Sequence, residues 1–365
     1  MIMDNPRILA ISNHPGTDTD RVRLLMAQVH CRVEFFDRQR HAPRGHVSRE
    51  LWQLLQRETW DLVYLESASA ATGWPLIRAS RKWGQRYIVS CGDPVGGFFR
   101  TTRGPLWGWA MERFEHELYR RSAGFVGWTP YLTGKAMHMG APRAVTVEGG
   151  VDLSKFRPLN PEQRKADRAR FGLDPDALVC GVVGSLTWTK RQQYCYGLEL
   201  VETLRYLQRK DVFMLIVGDG DGRQILEERL PEALRHRVRF TGRLKDDDLV
   251  AAMNAMDIGF VTQTLDGLGS YRLTTKLPEY LACGLAVAMS PIPGYYDYAS
   301  DVAWALPARH PASQEFHREC AVWLDSLTRE EVAAKALCAK QVAEERFDYT
   351  MLARRFALFV QDLLK

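Results

Sequence analysis

Short apolar runs alternate with helical segments along most of this chain, and that alternation limits the fold more than any other feature. Arg7 to Ser12, Val33 to Phe36, Asp61 to Leu65, Tyr87 to Ser90, Gly124 to Gly127 and Ala144 to Val147 read as strands. The helices between them are expected from about Arg21 and over Leu51–Arg57, Ile77–Trp83, Gly108–Arg121 and Tyr131–Met139. Strands this apolar, each followed by a helix, belong to a parallel sheet covered on both faces. A second series has strands at Leu178–Gly184, Val212–Gly218, Val238–Thr241 and Ile258–Thr262, with helices at Gln193–Gln208, Gly222–Leu230 and Asp246–Met256. Between the two series lie V-E-G-G-V-D-L-S-K-F-R-P, Val147 to Pro158, and an apolar-poor stretch that reads as a linker or a surface helix. The C-terminal residues read as helical, with a break near Asp348 and Tyr349. The fold expected is α/β, with two doubly wound units in tandem. Their bounds are 1–157 and 158–345, and a C-terminal helix, 346–365, packs back on the first.

At 365 residues two domains are expected, and 46% hydrophobic with 25% charged residues describes a globular chain with ample core. No apolar run is long enough to span a bilayer, and the N-terminus runs into a strand without a signal-like segment. Seven scattered cysteines without a C-x-x-C pair suggest neither a zinc site nor a disulfide framework, so a cytoplasmic protein is expected. The first 150 residues carry 20 lysines and arginines against 14 carboxylates, and the rest 29 against 30. A basic first half fits an anionic partner, such as a phospholipid surface or a phosphorylated acceptor, and equally a solvated arginine-rich surface.

Three stretches of the second half carry chemistry. In K-L-P-E-Y-L-A-C-G, Lys276 and Glu279 share one face of a helix start, and a helix N-terminus suits an anion; an ordinary acidic first turn fits the same residues. V-G-D-G-D-G, Val217 to Gly222, joins a strand to a helix, where Gly218 and Gly220 let backbone approach a ligand, or simply form a tight turn. G-S-L-T-W-T-K-R begins at Gly184 and ends in Lys190 and Arg191, two cations suited to a diphosphate or to plain surface.

Taken in order, G-V-D-L-S-K-F-R-P (Gly150 to Pro158), the glycine strand with its cations, V-G-D-G, F-T-G-R-L (Phe240 to Leu244) and K-L-P-E-Y-L-A-C-G-L-A-V resemble the family-4 retaining glycosyltransferases, glycosyl transferases group 1, of the GT-B fold. The resemblance is close in the C-terminal half and only one of pattern in the N-terminal half. It implies two Rossmann-like domains facing across a cleft, the C-terminal one binding a nucleotide-diphosphate sugar and the N-terminal one the acceptor. On that resemblance Glu279 grips the ribose hydroxyls, since a carboxylate accepts two hydrogen bonds. Lys190 and Arg191 meet the diphosphate, while Gly218, Gly220, Thr241 and Gly242 wall the nucleotide pocket. No cofactor and no metal ion is implied, and the acceptor attacks on the face the diphosphate leaves, with the leaving phosphate as base. The product would enter glycan, glycolipid or glycosylated-metabolite synthesis, and nucleic acid is not an expected partner.

The chain also departs from the family pattern. Where a glutamate commonly lies eight residues before the ribose-binding one, this chain has Tyr271, with Asp266 nearby in a glycine-rich loop. The arginine usual after the strand glycine is replaced by Ser185, and the first loop holds Gly16 as its only glycine. In S-C-G-D-P-V-G-G the family's polar residue facing the sugar maps onto Asp93, which reads equally as an Asp-Pro turn. His14 points toward the same cleft, or is merely exposed. These departures leave open a degenerate relative acting as a binding or scaffold subunit, or an epimerase or phosphorylase on the same fold. Finally, Gly104 to Arg121 mixes tryptophans with basic ends. It fits a peripheral membrane contact at the inner face presenting a lipid-linked acceptor, or a helix packed in the core; Glu112, Glu115 and Glu117 oppose adsorption to anionic lipid.

Overall fold

Period-2 burial decides how the first sheet is covered. In β1 (Arg7–Ser12) Leu9 and Ile11 pack to one face and Ile8 and Ala10 to the other, all of them buried. A computed structural model describes residues 5–14, 17–37 and 43–365. After β1 come α1 (Thr17–Met26), β2 (Arg32–Asp37), α2 (Arg44–Arg57), β3 (Leu62–Glu66), α3 (Ala70–Trp83) and β4 (Tyr87–Cys91). Then α4 (Val95–Arg103), α5 (Pro105–Arg120), β5 (Gly124–Gly127), α6 (Pro130–His138) and β6 (Ala144–Thr146) complete the series. The sheet is parallel in the order β2-β1-β3-β4-β5-β6, so the strand order reverses between β1 and β3.

The second unit opens with α7 (Pro161–Arg170), β7 (Leu178–Val183), α8 (Leu198–Thr203), β8 (Val212–Val217), α9 (Gly222–Arg229) and β9 (Val238–Gly242). It continues through α10 (Asp246–Ala255), β10 (Ile258–Val261), α11 (Lys276–Ala282), β11 (Ala286–Met289), α12 (Pro293–Tyr298), β12 (Ala303–Ala305), α13 (Gln314–Ser326) and α14 (Arg329–Arg346). Its parallel order is β12-β11-β10-β7-β8-β9, with the reversal between β7 and β10. The last helix, α15 (Tyr349–Leu364), packs on α1 through Leu352, Phe356 and Val360 and belongs to the first unit.

The two units divide at Gly150/Val151 rather than at 157, and residues Tyr271–Leu273 join the first unit although they lie within the second in sequence. Entry and exit of the second unit are bonded to each other, Val151 N–H to the Phe347 carbonyl at 2.9 Å.

Two segments differ from expectation for local reasons. The helix expected over Gln193–Gln208 is confined to α8. A bridge between Thr189 and Tyr194 closes a turn first, and Gly197 sits at φ +94°, where a Cβ would lie 3.1 Å from the Ile216 side chain. The apolar-poor stretch is helix α7, capped by Asn160 and begun by Pro161. Charge, not an apolar stripe, holds it: Arg164 and Arg168 take one oxygen each of Asp257 at 2.6 and 2.7 Å, and Asp257 also accepts the Val179 N–H at 2.7 Å. Arg168 is buried. Asp257→Ala leaves that guanidinium without its carboxylate, so it is expected to destabilise the protein by about 3 kcal/mol in chemical denaturation. A change below about 0.5 kcal/mol would show that α7 is held some other way.

Candidate functional site

In a parallel open sheet, ligands bind beyond the strand C-termini where the order reverses. In the second unit that place is the end of β7 and β10, at Gly184 and at Thr262–Gln263. The backbone there is unusually close-packed. Gly184 N–H reaches the Val217 carbonyl at 2.9 Å, Gly218 N–H the Gly242 carbonyl at 3.0 Å, and Gly222 N–H the Leu186 carbonyl at 2.8 Å. A Cβ on Gly218 would lie 1.8 Å from the Gly184 oxygen, and one on Gly220 would lie 2.6 Å from the Leu186 carbonyl carbon. The close approach these glycines permit is to neighbouring backbone, which packs the two strand ends together.

Above that packed backbone lies Lys276, the first residue of α11. Its ammonium stands 3.3 Å from the centre of the Tyr196 ring, and a Cβ on Gly184 would lie 3.3 Å from the same nitrogen. A Cβ at position 184 would crowd the Tyr196 ring more closely still, at 2.9 Å. Tyr196 is fixed by Gln263, whose side-chain amide donates to the phenol oxygen at 3.0 Å, and Gln263 N–H is held by Ser290 Oγ at 2.8 Å. Lys276 is buried, and among the described residues no carboxylate lies within ion-pair distance of it. Its field still acts on two acids. Burial pushes Glu279 up to about 7, against the opposing charge of Lys276 and a hydrogen bond from Thr275. Burial likewise raises Glu199, opposed by its hydrogen bond from Tyr194 and by the charge of Lys276. Glu199 accepts from Tyr194 and from Gly197 N–H, each at 3.0 Å, and no motif in the sequence singles it out. At seven residues α11 has too few aligned peptides for its end to govern a site, so side chains do.

The remaining expected residues of this unit lie around that centre or apart from it. Lys190 and Arg191 are exposed on the turn closed by the Thr189–Tyr194 bridge. Gln192 of the same turn donates to Asp266 at 3.3 Å, whose other oxygen accepts the N–H groups of Leu268 and Gly269, both at 2.9 Å. Asp266 thus closes its own loop. The Ser185 hydroxyl pairs with Thr187 at 2.7 Å, and the Thr241 hydroxyl donates to the Gly242 carbonyl at 2.9 Å. Gly242 sits at φ +71°, a conformation that favours glycine. Among the described residues no group of three or more His, Cys, Asp and Glu side chains could hold a metal ion.

In the first unit Asp93 is held by both arms of a fork, Arg272 Nε at 2.6 Å and Nη2 at 3.1 Å. Tyr271, beside it in the 271–273 segment, receives the Thr129 hydroxyl on its carbonyl at 2.8 Å and packs its ring on this unit's core, under the Lys135 ammonium at 5.8 Å. His14 N–H donates to Asp18 at 3.0 Å; Gly16 lies outside the described residues. Beyond the ends of β1, β3 and β4 is a buried charged cluster with no motif to announce it. Arg21 donates to the Glu148 and Val147 carbonyls at 2.7 and 2.8 Å and stands 3.4 Å from Glu66, which accepts Ser90 Oγ at 2.9 Å. Burial, then the charge of Glu66, lifts Asp18 to about 7, with the Ser67 and His14 hydrogen bonds and Arg21 opposing.

Comparison with known proteins bears on this geometry. Residues 177–321, which hold all six strands of the second sheet, match the family model described as Glycosyl transferases group 1. The GDP-mannose-dependent monoacylated alpha-(1-6)-phosphatidylinositol monomannoside mannosyltransferase of Corynebacterium glutamicum is 27% identical over 202 residues, 51% of this chain and 50% of that protein. The 2-deoxystreptamine glucosyltransferase of Streptomyces kanamyceticus is 29% identical over 211 residues, 54% of this chain and 52% of that protein. The chain thus spans about half the length of the curated relatives it matches. Among solved structures, Anabaena HepE in complex with UDP and glucose superposes with a TM-score of 0.75 at 16% identity, covering 98% of this chain and 100% of that one. A glycosyltransferase from Rickettsia africae gives 0.70 at 13% identity, with both chains fully covered at 100%. At such identities the likeness is one of fold, and that fold is GT-B, two parallel Rossmann-like sheets with their helices.

Proposed function

We propose that the chain is a glycosyltransferase that moves a hexose from a nucleotide-diphosphate donor to an acceptor hydroxyl, with retention, without a metal ion and without a cofactor. The observation that carries this reading is Lys276. A buried ammonium with an aromatic face on one side and no ion-pair partner among the described residues is a built anion site. It lies at the strand reversal of the unit that matches the group 1 model. Three residues on, Glu279 supplies the acceptor pair that two ribose hydroxyls require. HepE was solved with UDP and glucose, and the Corynebacterium relative is named as GDP-mannose-dependent; both support a nucleotide-diphosphate hexose and leave the base open.

In the reaction the bond from the anomeric carbon to the phosphate oxygen breaks and a bond to the acceptor oxygen forms. The acceptor proton passes to the leaving phosphate. Lys276 meets the negative charge that develops on the diphosphate, and the exposed Lys190 and Arg191 add long-range attraction for it. Asp93 takes no proton in this scheme, because Arg272 occupies both of its oxygens. A second reading, a relative that binds donor without turning it over, is favoured by Tyr271, whose ring is packed on core where the family commonly presents a carboxylate. Release of sugar or nucleotide from donor, alone or with acceptor mixtures, separates the two.

Lys276→Met, which keeps the length of the side chain, is expected to lower donor turnover by about 100-fold or more with a melting temperature no lower than the parent's. Lys190→Ala should lose less than Lys276→Met, and the reverse order would move the diphosphate contact to the exposed turn. Glu279 binds ribose best when ionised, and its raised pKa of about 7 sets the window. Donor KM should fall as pH rises through that value and level off above it, because binding there no longer has to displace a proton. Glu279→Gln should raise KM by about tenfold or more and flatten that dependence. A KM profile identical in the variant would remove Glu279 from the ribose.

A further inference from the structure

Helices α4 and α5 form a tightly locked pair whose outer end is apolar and faces solvent. A Cβ on Gly108 would lie 2.5 Å from Arg100 Cβ, and one on Gly96 would lie 2.9 Å from Glu112 Cβ, so the helices meet at backbone distance. The face of α5 turned inward is Gly108, Phe114, Glu115, Leu118 and Tyr119. This leaves Leu106 83% exposed, Trp107 53% and Trp109 57%, with Phe98 of α4 at 42%. The three aromatics are not isolated. Phe98 meets Phe99 at 5.6 Å, Phe99 stacks on Trp107 at 6.4 Å, Arg103 stands over both Phe99 and Trp107, and Arg113 stands over Trp109. A rigid helix end that shows large aromatic side chains framed by arginines is the pattern of an interfacial anchor.

The glutamates that oppose such a role in the sequence are all engaged. Glu112 pairs with Arg100 at 2.7 Å. Glu115 is buried and accepts the Val95 and Gly96 N–H groups at 2.8 and 3.0 Å, with Lys135 at 3.2 Å. Glu117 is gripped by Arg81, Arg120 and Arg121; burial alone would raise its pKa, but these three hold it near 2. What faces outward beside the aromatics is therefore positive, on the half of the chain that carries 20 basic against 14 acidic residues. Among the described residues no helix is long and apolar enough to cross a membrane, so such a contact would be peripheral.

We propose that the junction of α4 and α5, with Phe98, Leu106, Trp107 and Trp109 as its apolar anchors and Arg103 and Arg113 as its cations, docks this protein on an anionic phospholipid bilayer. The full chain should cosediment with vesicles of phosphatidylglycerol in phosphatidylcholine, and far less with phosphatidylcholine alone. Trp107→Ser/Trp109→Ser and Arg103→Glu/Arg113→Glu should each weaken the anionic-vesicle partition by about tenfold or more, the first by lost insertion and the second by lost attraction. Raised salt should weaken binding of the parent and leave the charge-reversed variant little changed. Failure of the parent to cosediment, or full binding retained by either variant, would overturn the proposal. So would a lipid-free dimer, seen by sedimentation velocity, that the tryptophan variant abolishes, because the face would then belong to a second copy. None of these readouts depends on donor turnover.

Discussion

The strand ends of the second unit are packed around one buried cation, Lys276. An ammonium withdrawn from water costs several kcal/mol unless something replaces its hydration, and among the described residues Lys276 meets a tyrosine ring at 3.3 Å and the more distant charges of Glu199 and Glu279. A Cβ at position 184 would press on the Tyr196 ring at 2.9 Å and on the end of Lys276 at 3.1 Å, and one at Gly218 would meet the Gly184 oxygen at 1.8 Å. The glycines, the Tyr196–Gln263–Ser290 chain of hydrogen bonds and the short helix α11 are thus parts of one construction.

The first unit uses charge differently. Its buried Arg21 donates to two backbone carbonyls, lies over the face of Trp128 and keeps its Nε 3.4 Å from Glu66 without a hydrogen bond, while Asp93 is closed by the Arg272 fork. Both charges face an opposite charge, whereas among the described residues Lys276 has no carboxylate within ion-pair distance. The segment that brings Arg272 and Tyr271 to this unit belongs by sequence to the other series, so a change in that loop is felt at Asp93.

Regular structure was legible because it rests on periodicity. The strand at Arg7–Ser12 is found at those residues, and the helix break near Asp348 separates α14 from α15. The sequence leaves helix α7 ambiguous because its anchor, Asp257, lies 93 residues from Arg164 and 89 from Arg168, and no local pattern reports an ion pair. The start of α8 was misplaced because a Thr189–Tyr194 bridge and a left-handed Gly197 override helical composition. In the candidate site Gly184, Lys276 and Glu279 stood out through their motif. Spacing did not say that Lys276 is buried while Lys190 and Arg191 are exposed, nor that Tyr271 packs on core, since those depend on tertiary neighbours. Glu199 and Arg21 had no motif at all.

The central claim is that Lys276 is the cation that receives a nucleotide diphosphate. Calorimetric titration of UDP- and GDP-hexoses into the parent protein and Lys276→Met tests it without relying on an acceptor. The account predicts that at least one donor binds the parent and that the variant loses about 100-fold or more of that affinity, in line with removal of a charged partner from a buried site. Equal affinity in the two proteins, or no binding of any nucleotide-diphosphate sugar by the parent, would contradict it.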